Sequence, residues 1–318
     1  MQENLNNIST RLIPDSYSND VGFYTTIDFD KNNFGFNTGI RLDYKEIVCN
    51  DYNYNKLFNA FNSSFGVFYK ANDHLTRLTY SGSYRAPHLS ELFSNGLHHG
   101  TNRYEVGNSN LNIERSHQFD LKYQWNDDHF GFVVNPFLQL INDFIAINPT
   151  DSLYEDNYRV YNYVQFDEVS ISGVELNLHY HPHFLHNLHL EQSYSFINTL
   201  NKSDDSNLFF TPANKIKSKL NFDLDIYKLP IGFKNLSVYH LYAFKQNNIV
   251  SSHESPSDSY SIFNAELLLN PIKDLSVIIG VKNMFNKEYV PHLSRIKEAA
   301  GGVPEPGRSF SLSVKYDF

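Results

Sequence analysis

Residues 309–318 read SFSLSVKYDF, with Phe310, Leu312, Val314, Tyr316 and Phe318 on one side of an extended chain and Ser309, Ser311, Ser313, Lys315 and Asp317 on the other. An extended strand with one apolar and one polar face produces this period-two alternation. The pattern recurs upstream. Phe34, Phe36, Ile40, Leu42 and Tyr44 oppose Gly35, Asn37, Gly39, Arg41 and Asp43. Phe119, Leu121, Tyr123 and Trp125 oppose Gln118, Asp120, Lys122 and Gln124. Val174, Leu176, Leu178 and Tyr180 oppose Gly173, Glu175, Asn177 and His179. Leu220, Phe222, Leu224 and Ile226 oppose Lys219, Asn221, Asp223 and Asp225. Helical periodicity is nearly absent. The pattern predicts strands over 20–28, 34–46, 57–70, 74–85, 115–126, 130–146, 160–181, 187–199, 215–227, 233–246, 259–270, 274–285 and 308–318.

Alternation suits a soluble sandwich as well as a barrel in lipid, so the links between strands carry the distinction. Short turns (DKNN, KANDH, NDDH, YHPHFLH, YKLPIG, NPIKD) alternate with long links near 47–56, 86–114, 147–159, 200–214, 247–258 and 286–307. Short periplasmic turns and long external loops are the layout of an outer-membrane barrel. The fold class expected is therefore all-β, an antiparallel transmembrane β-barrel. If the last strand ends on the periplasmic side, every long link falls outside and the first strand starts outside. About 13 strands is an odd number, whereas single-chain bacterial barrels have an even one. The expectation is a partial barrel whose first strand presents an unpaired edge.

Composition agrees with a barrel in lipid. No apolar run approaches the roughly 20 residues of a transmembrane helix. The 22 Tyr and 26 Phe suit interfacial girdles, and Tyr44, Tyr69, Tyr123, Trp125, Phe244 and Phe318 are placed for that role. A net charge of -9 argues against nucleic acid as a partner. The one cysteine, Cys49, has no internal disulfide partner. Residues 1–19 are polar and Asn-rich, without the apolar core of a secretory signal. The sequence carries no GxSxG, HExxH or phosphate-cradling glycine loop, so no enzyme is expected.

Residues 84–123 contain Arg85, Ala86 and Pro87, then Ser90, Glu91, Leu92 and Phe93, then Gly107, Asn108, Leu111, Glu114 and Ser116. This run resembles the stretch shared by TonB-dependent outer-membrane receptors. The segments 171–180 (ISGVELNLHY), 280–290 (GVKNMFNKEYV) and 307–318, with its aromatic terminus Phe318, extend the resemblance over most of the chain. The resemblance implies a 22-stranded barrel plugged by an amino-terminal domain, importing a scarce nutrient (metal ion, siderophore or haem) across the Gram-negative outer membrane. It implies energy from the TonB complex, reached through the plug. Residues 1–318 are then the carboxy-terminal part of the barrel domain, without plug or TonB box, and about 13 strands match the last part of 22. A complete smaller porin or adhesin barrel is the alternative, and a secreted all-β carbohydrate-binding module the third.

Candidate chemistry is confined to a few groups. His88, Glu91, His98, His99 and Tyr104 lie in one predicted external loop and are candidates for substrate capture. Imidazole and carboxylate suit zinc and similar metals, and His98, His99 and Thr101 are similar to a feature of zinc- and haem-uptake receptors. The competing reading makes the loop an architectural clasp, with Arg85 paired to Glu91. His179, His181 and His189 form a second candidate metal cluster near a periplasmic turn, beside Glu191, against a reading as hydrated lumen wall. Tyr154, Tyr158 and Tyr289 are loop aromatics suited to stacking on a ligand. No resident cofactor is expected, and a metal ion enters only as cargo.

Overall fold

The computed structural model describes residues 2–5, 11–227, 229–250, 252–294, 296–297 and 302–317. Phe318, a predicted motif and girdle residue, lies outside the described residues. In chain order the elements are β1 (Gln2–Asn4), β2 (Ser16–Lys31), β3 (Phe34–Cys49), β4 (Tyr54–Ala71), β5 (His74–Arg85), α1 (Leu89–Phe93), β6 (Asn95–His98), β7 (Arg103–Val106), β8 (Glu114–Asn126), β9 (Phe130–Tyr154), β10 (Tyr158–Tyr180), β11 (Leu188–Asn201), β12 (Lys215–Asp223), β13 (Phe233–Ala243), β14 (Tyr260–Ile272), β15 (Leu275–Lys282) and β16 (Ser309–Tyr316). All 16 strands among the described residues belong to one sheet. Its main path runs in sequence order, β1-β2-β3-β4-β5-β8-β9-β10-β11-β12-β13-β14-β15-β16. Neighbours along this path are antiparallel. The short hairpin β6–β7 joins from above, with β7 parallel to β10.

The registers stack like with like across the wall. Leu188, Phe222, Leu236, Leu267, Ile279 and Leu312 are successive cross-strand partners from β11 to β16. On the other face His179, Glu191, Lys219, Tyr239 and Asn264 form a polar ladder. Lys219 Nζ lies 3.5 Å from Glu191 Oε1, and the Tyr239 hydroxyl donates to Glu266 over 3.2 Å. A one-residue slip would send every side chain to the wrong face, so the pattern itself fixes the register. The outer face leaves Phe23, Ile27, Phe34, Ile40, Phe61, Phe65, Leu121 and Phe310 exposed, as a lipid-facing wall requires. Tyr123, Trp125, Phe130, Phe132 and Tyr180 form a belt of ring contacts at the short-turn end.

Thirteen strands of eight or more residues stand where the alternation predicts them. Three short strands, β1, β6 and β7, were not legible in the pattern. Two of the links read as long are corrected. Residues 47–49 and 54–56 continue β3 and β4, and residues 147–154 and 158–159 continue β9 and β10. Short turns close these hairpins, with Asn53, Glu155 and Asp156 in left-handed backbone, a conformation that Asn and Asp tolerate well. With 25 and 23 residues, β9 and β10 exceed the 9–11 residues a membrane crossing needs and project beyond it. The strand predicted to reach residue 227 ends at Asp223, followed by a 3-10 turn over Asp225–Tyr227.

Among the described residues the sheet is an open path whose two ends do not pair. β1 covers β2 only at Ser16–Ser18, and the rest of β2 pairs with β3 alone. β16 pairs only with β15, and its whole length is exposed.

The two faces are separable by adjacent substitutions. Leu176 faces outward and Asn177 lines the concave face. Leu176→Arg is expected to destabilise the chain in phospholipid vesicles by roughly 2–4 kcal/mol, and Asn177→Arg by much less. Denaturant titration of both variants checks this, and equal costs would contradict the assignment of faces.

Candidate functional site

The wall itself has little buried core. The main apolar cluster joins Ile47, Cys49, Phe58, Leu92, Phe93, Leu111 and Ile145, with Ala86 and Tyr54 packed against it. It draws on the ends of β3, β4 and β9 and on the loop 86–113, so it caps the long-loop end of the sheet. Tyr54 meets Phe93 edge-on at 5.0 Å. Pro87 is fully buried.

Arg85 ties this cap to the wall. Its Nη1 donates to both Glu91 oxygens at 3.0 and 2.9 Å, and its Nη2 donates to Glu114 Oε2 at 3.2 Å. Glu91 also accepts the His88 backbone N–H at 2.7 Å, and Glu114 accepts that of Ile145 at 2.9 Å. Bidentate Arg–carboxylate pairing fixes orientation as well as distance. The Gly107 N–H donates to the Ser94 carbonyl and the Asn108 N–H to the Glu91 carbonyl. A Cβ at Gly107 would stand 2.6 Å from the Leu92 carbonyl carbon and the Phe93 nitrogen, so only glycine fits. Arg85, Ala86, Pro87, Glu91, Gly107, Asn108 and Glu114 are thus assembled into one clasp.

The capture candidates divide. Both Glu91 oxygens are engaged in the clasp, and His88 is exposed beside it. His98 ends β6 and His99 stands exposed in the turn to β7, so both mark the tip of a hairpin. His98 Nδ1 is buried without a hydrogen-bond partner. Tyr104 follows in β7, its hydroxyl donating to Asn95 Oδ1 at 2.9 Å and its ring stacked on Tyr154 at 4.2 Å. Within β7, Glu105 is buried and accepts from Arg103 Nε at 2.7 Å and the Tyr163 hydroxyl at 3.2 Å. At the opposite end of the sheet, His179 and His189 stack at 6.1 Å and His181 and His189 at 4.3 Å. His179 and Glu191 line a concavity of about 710 Å³ on the polar face. Among the described residues, no three His, Cys, Asp or Glu side chains converge on one metal position.

A second loop contact escaped the sequence reading. His292 Nε2 lies 3.1 Å from Glu254 Oε1, and both residues are buried. Ser257 Oγ is 3.0 Å from His292 Nδ1. Glu254 also accepts the N–H groups of Phe210 at 3.1 Å and Val250 at 3.2 Å. His253 reaches Asp151 Oδ1 at 2.9 Å. These contacts tie the links 202–214, 244–259 and 283–308 to each other and to the projecting part of β9. The residues are far apart in sequence and belong to no local motif.

Burial pushes the Glu254 carboxyl up, but His292 and the N–H groups of Val250 and Phe210 outweigh it and hold it below the usual carboxylate range. A carboxylate depressed in the folded state stabilises it above the ordinary Glu value and loses that contribution as the pH falls through the depressed one. Acidification is therefore expected to release the Phe210 and Val250 amides. Hydrogen exchange at those amides checks this: protection should fall with pH in the wild type, and Glu254→Gln should flatten that dependence. Glu254→Ala, which strands buried donors, is expected to cost about 1–3 kcal/mol.

The sequence matches the family described as TonB dependent receptor-like, beta-barrel, over residues 3–284. It is 24% identical over 345 residues to TonB-dependent heme receptor A of Haemophilus influenzae, covering 92% of this chain and 44% of that protein. It is 22% identical over 286 residues to Hemoglobin-binding protein A of the same organism, covering 76% of this chain and 27% of that one. Its fold superposes on Copper transporter OprC with a TM-score of 0.79 at 19% identity, covering 96% of this chain and 48% of that chain. For the FrpB iron transporter from Neisseria meningitidis (F3-3 variant) the TM-score is 0.71 at 18% identity, covering 98% and 47%. The chain thus spans less than half the length of each of these relatives. With the family match running through nearly all the long strands, and with the Arg85 clasp at their outer end, the chain belongs to the TonB-dependent receptor β-barrel family of the Gram-negative outer membrane, a family of transporters rather than enzymes.

Proposed function

We propose that residues 1–318 form one unit, the carboxy-terminal part of a receptor barrel, and that the receptor takes up haem or a similar iron-bearing nutrient. In this reading the plug and the remaining wall come from outside this stretch, and TonB drives transport through the plug. The observation that carries the reading is the β6–β7 hairpin. It stands on the capped long-loop end and holds His98, His99 and Tyr104 at or beside its tip. Imidazole and phenolate oxygen are both ligands to haem iron, and the Tyr104–Tyr154 stack offers a flat apolar surface beside them. The unpartnered, buried His98 Nδ1 is a donor or acceptor awaiting a partner. Relatives named as a heme receptor and a hemoglobin-binding protein support the same substrate class. Glu91 and Arg85 serve by holding the hairpin's base rather than by touching cargo.

The test is a spectrophotometric titration of the full chain in detergent with haemin. The wild type is expected to shift the Soret band on binding, and His98→Ala/His99→Ala to weaken binding by about tenfold or more, about 1.4 kcal/mol. Equal affinity in the two proteins would sink the haem reading. Arg85→Ala is a useful contrast, because it should lower stability through the loss of charge-assisted hydrogen bonds to two part-buried carboxylates, by roughly 1.5–3 kcal/mol.

A further inference from the structure

Six of the 14 histidines in this chain lie around two neighbouring short turns. His129 is in the β8–β9 turn, His181, His183 and His186 are in the β10–β11 link, and His179 and His189 sit at the ends of β10 and β11. This is the end opposite the hairpin, which in an outer-membrane barrel faces the periplasm. The ring centroids of His129, His181 and His186 form a nearly equilateral triangle with sides of 5.7, 6.0 and 5.5 Å. His183 lies against His129 at 3.4 Å. A tetrahedral metal with Zn–N bonds of about 2.0–2.1 Å sets two ligating imidazole rings about 5 Å apart. The triangle is already close to that spacing.

The hydrogen bonds also prepare the rings. His129 Nδ1 lies 3.1 Å from the His181 carbonyl oxygen, which only accepts. The ring must therefore carry its proton on Nδ1, which leaves Nε2 as a free lone pair. His181 Nε2 faces the His186 carbonyl oxygen in the same way, which leaves its Nδ1 free. A ring N–H bonded to a backbone carbonyl is the support that metal-ligating histidines ordinarily have. The backbone beneath is braced. Asp127 Oδ1 accepts the His129 and Phe130 N–H groups, each at 2.7 Å, and the His181 N–H donates to the His129 carbonyl at 2.7 Å. The buried Asn187 donates to the Asp223 carbonyl at 3.3 Å and the Tyr227 hydroxyl at 3.1 Å. As the rings stand their nitrogens do not converge on one metal position, but His129 and His181 are half-exposed and His183 and His186 exposed, so metal binding would turn these side chains on the fixed frame beneath them.

We propose that His129, His181 and His186 form a divalent transition-metal site on the short-turn rim of the barrel. A set of neutral imidazoles selects zinc, nickel or copper(II) over calcium and magnesium, which take oxygen ligands. The site is distinct from the hairpin at the other end and does not depend on the haem reading.

Equilibrium dialysis of the full chain in detergent against zinc chloride tests it. The wild type is expected to hold one tight equivalent. His129→Gln/His186→Gln should weaken that equivalent by roughly 10–100-fold, while His98→Ala/His99→Ala leaves it intact. Equal zinc binding in wild type and His129→Gln/His186→Gln would overturn the proposal. A second measurement uses only the wild type, so a misfolded variant cannot decide the matter. Zinc should protect His129, His181 and His186 from acylation by diethyl pyrocarbonate, read by peptide mass mapping. Unchanged labelling of these three with zinc present would equally overturn it.

Discussion

Everything in this molecule depends on the unbroken antiparallel ladder that runs from β2 to β16. In hydrocarbon no water stands ready to satisfy a backbone N–H or C=O, so each must find its partner in the next strand. That requirement fixes the side-chain directions, because residues on one strand then alternate between lipid and interior. It explains why Leu236, Leu267, Ile279 and Leu312 line up across four strands while Lys219 and Tyr239 line up on the other face. It also gives meaning to the two free edges. β16 and most of β2 carry rows of backbone groups that the described chain does not pair, and such edges are templates for another strand.

A wall built this way has no interior of its own, and the apolar core has moved to one end. Ile47, Phe58, Leu92, Phe93 and Ile145 pack where the strands leave the membrane. Loop 86–113 can fold there because it brings its own hydrophobic anchors and lays them on strand ends that project upward. The Arg85 clasp then sets where those anchors stand. One guanidinium holds carboxylates from the loop and from β8 at once, so the loop cannot shift without uncovering charge. The buried Glu254–His292 contact does the same for the later loops. The long-loop end is therefore a packed layer on which a hairpin tip can be presented in a fixed place.

The alternation made the strands legible because it is a local property with a physical cause in every residue. The Arg85-to-Glu114 run was legible as well, since its members are close in sequence and each has a steric or ionic duty, such as Gly107 beneath Leu92 and Phe93. Turn lengths were read less well. Polar residues near Asn53 and Asp156 suggest loops, but the same residues close tight turns on strands that simply continue. Glu254 and His292 could not be found at all, because nothing local marks two residues that meet through folding. The histidines of 179–189 stood out as a cluster, but His129 joins them only through the pairing of β9 with β10.

The two ends of the sheet consequently carry different chemistry on one frame. At the long-loop end, polar groups are buried and mutually engaged, as at Glu105 and Glu254, which favours a rigid platform. At the short-turn end, backbone is braced by Asp127 and Asn187 while rings of His183 and His186 stay in water. The buried His292 faces Glu254 with one nitrogen and Ser257 with the other, whereas an exposed imidazole on a fixed backbone keeps a lone pair available at small cost in side-chain entropy. The same residue type is thus architectural at His292 and available for ligation at His129. The difference lies in burial and in which atom each nitrogen faces, and both follow from the strand order.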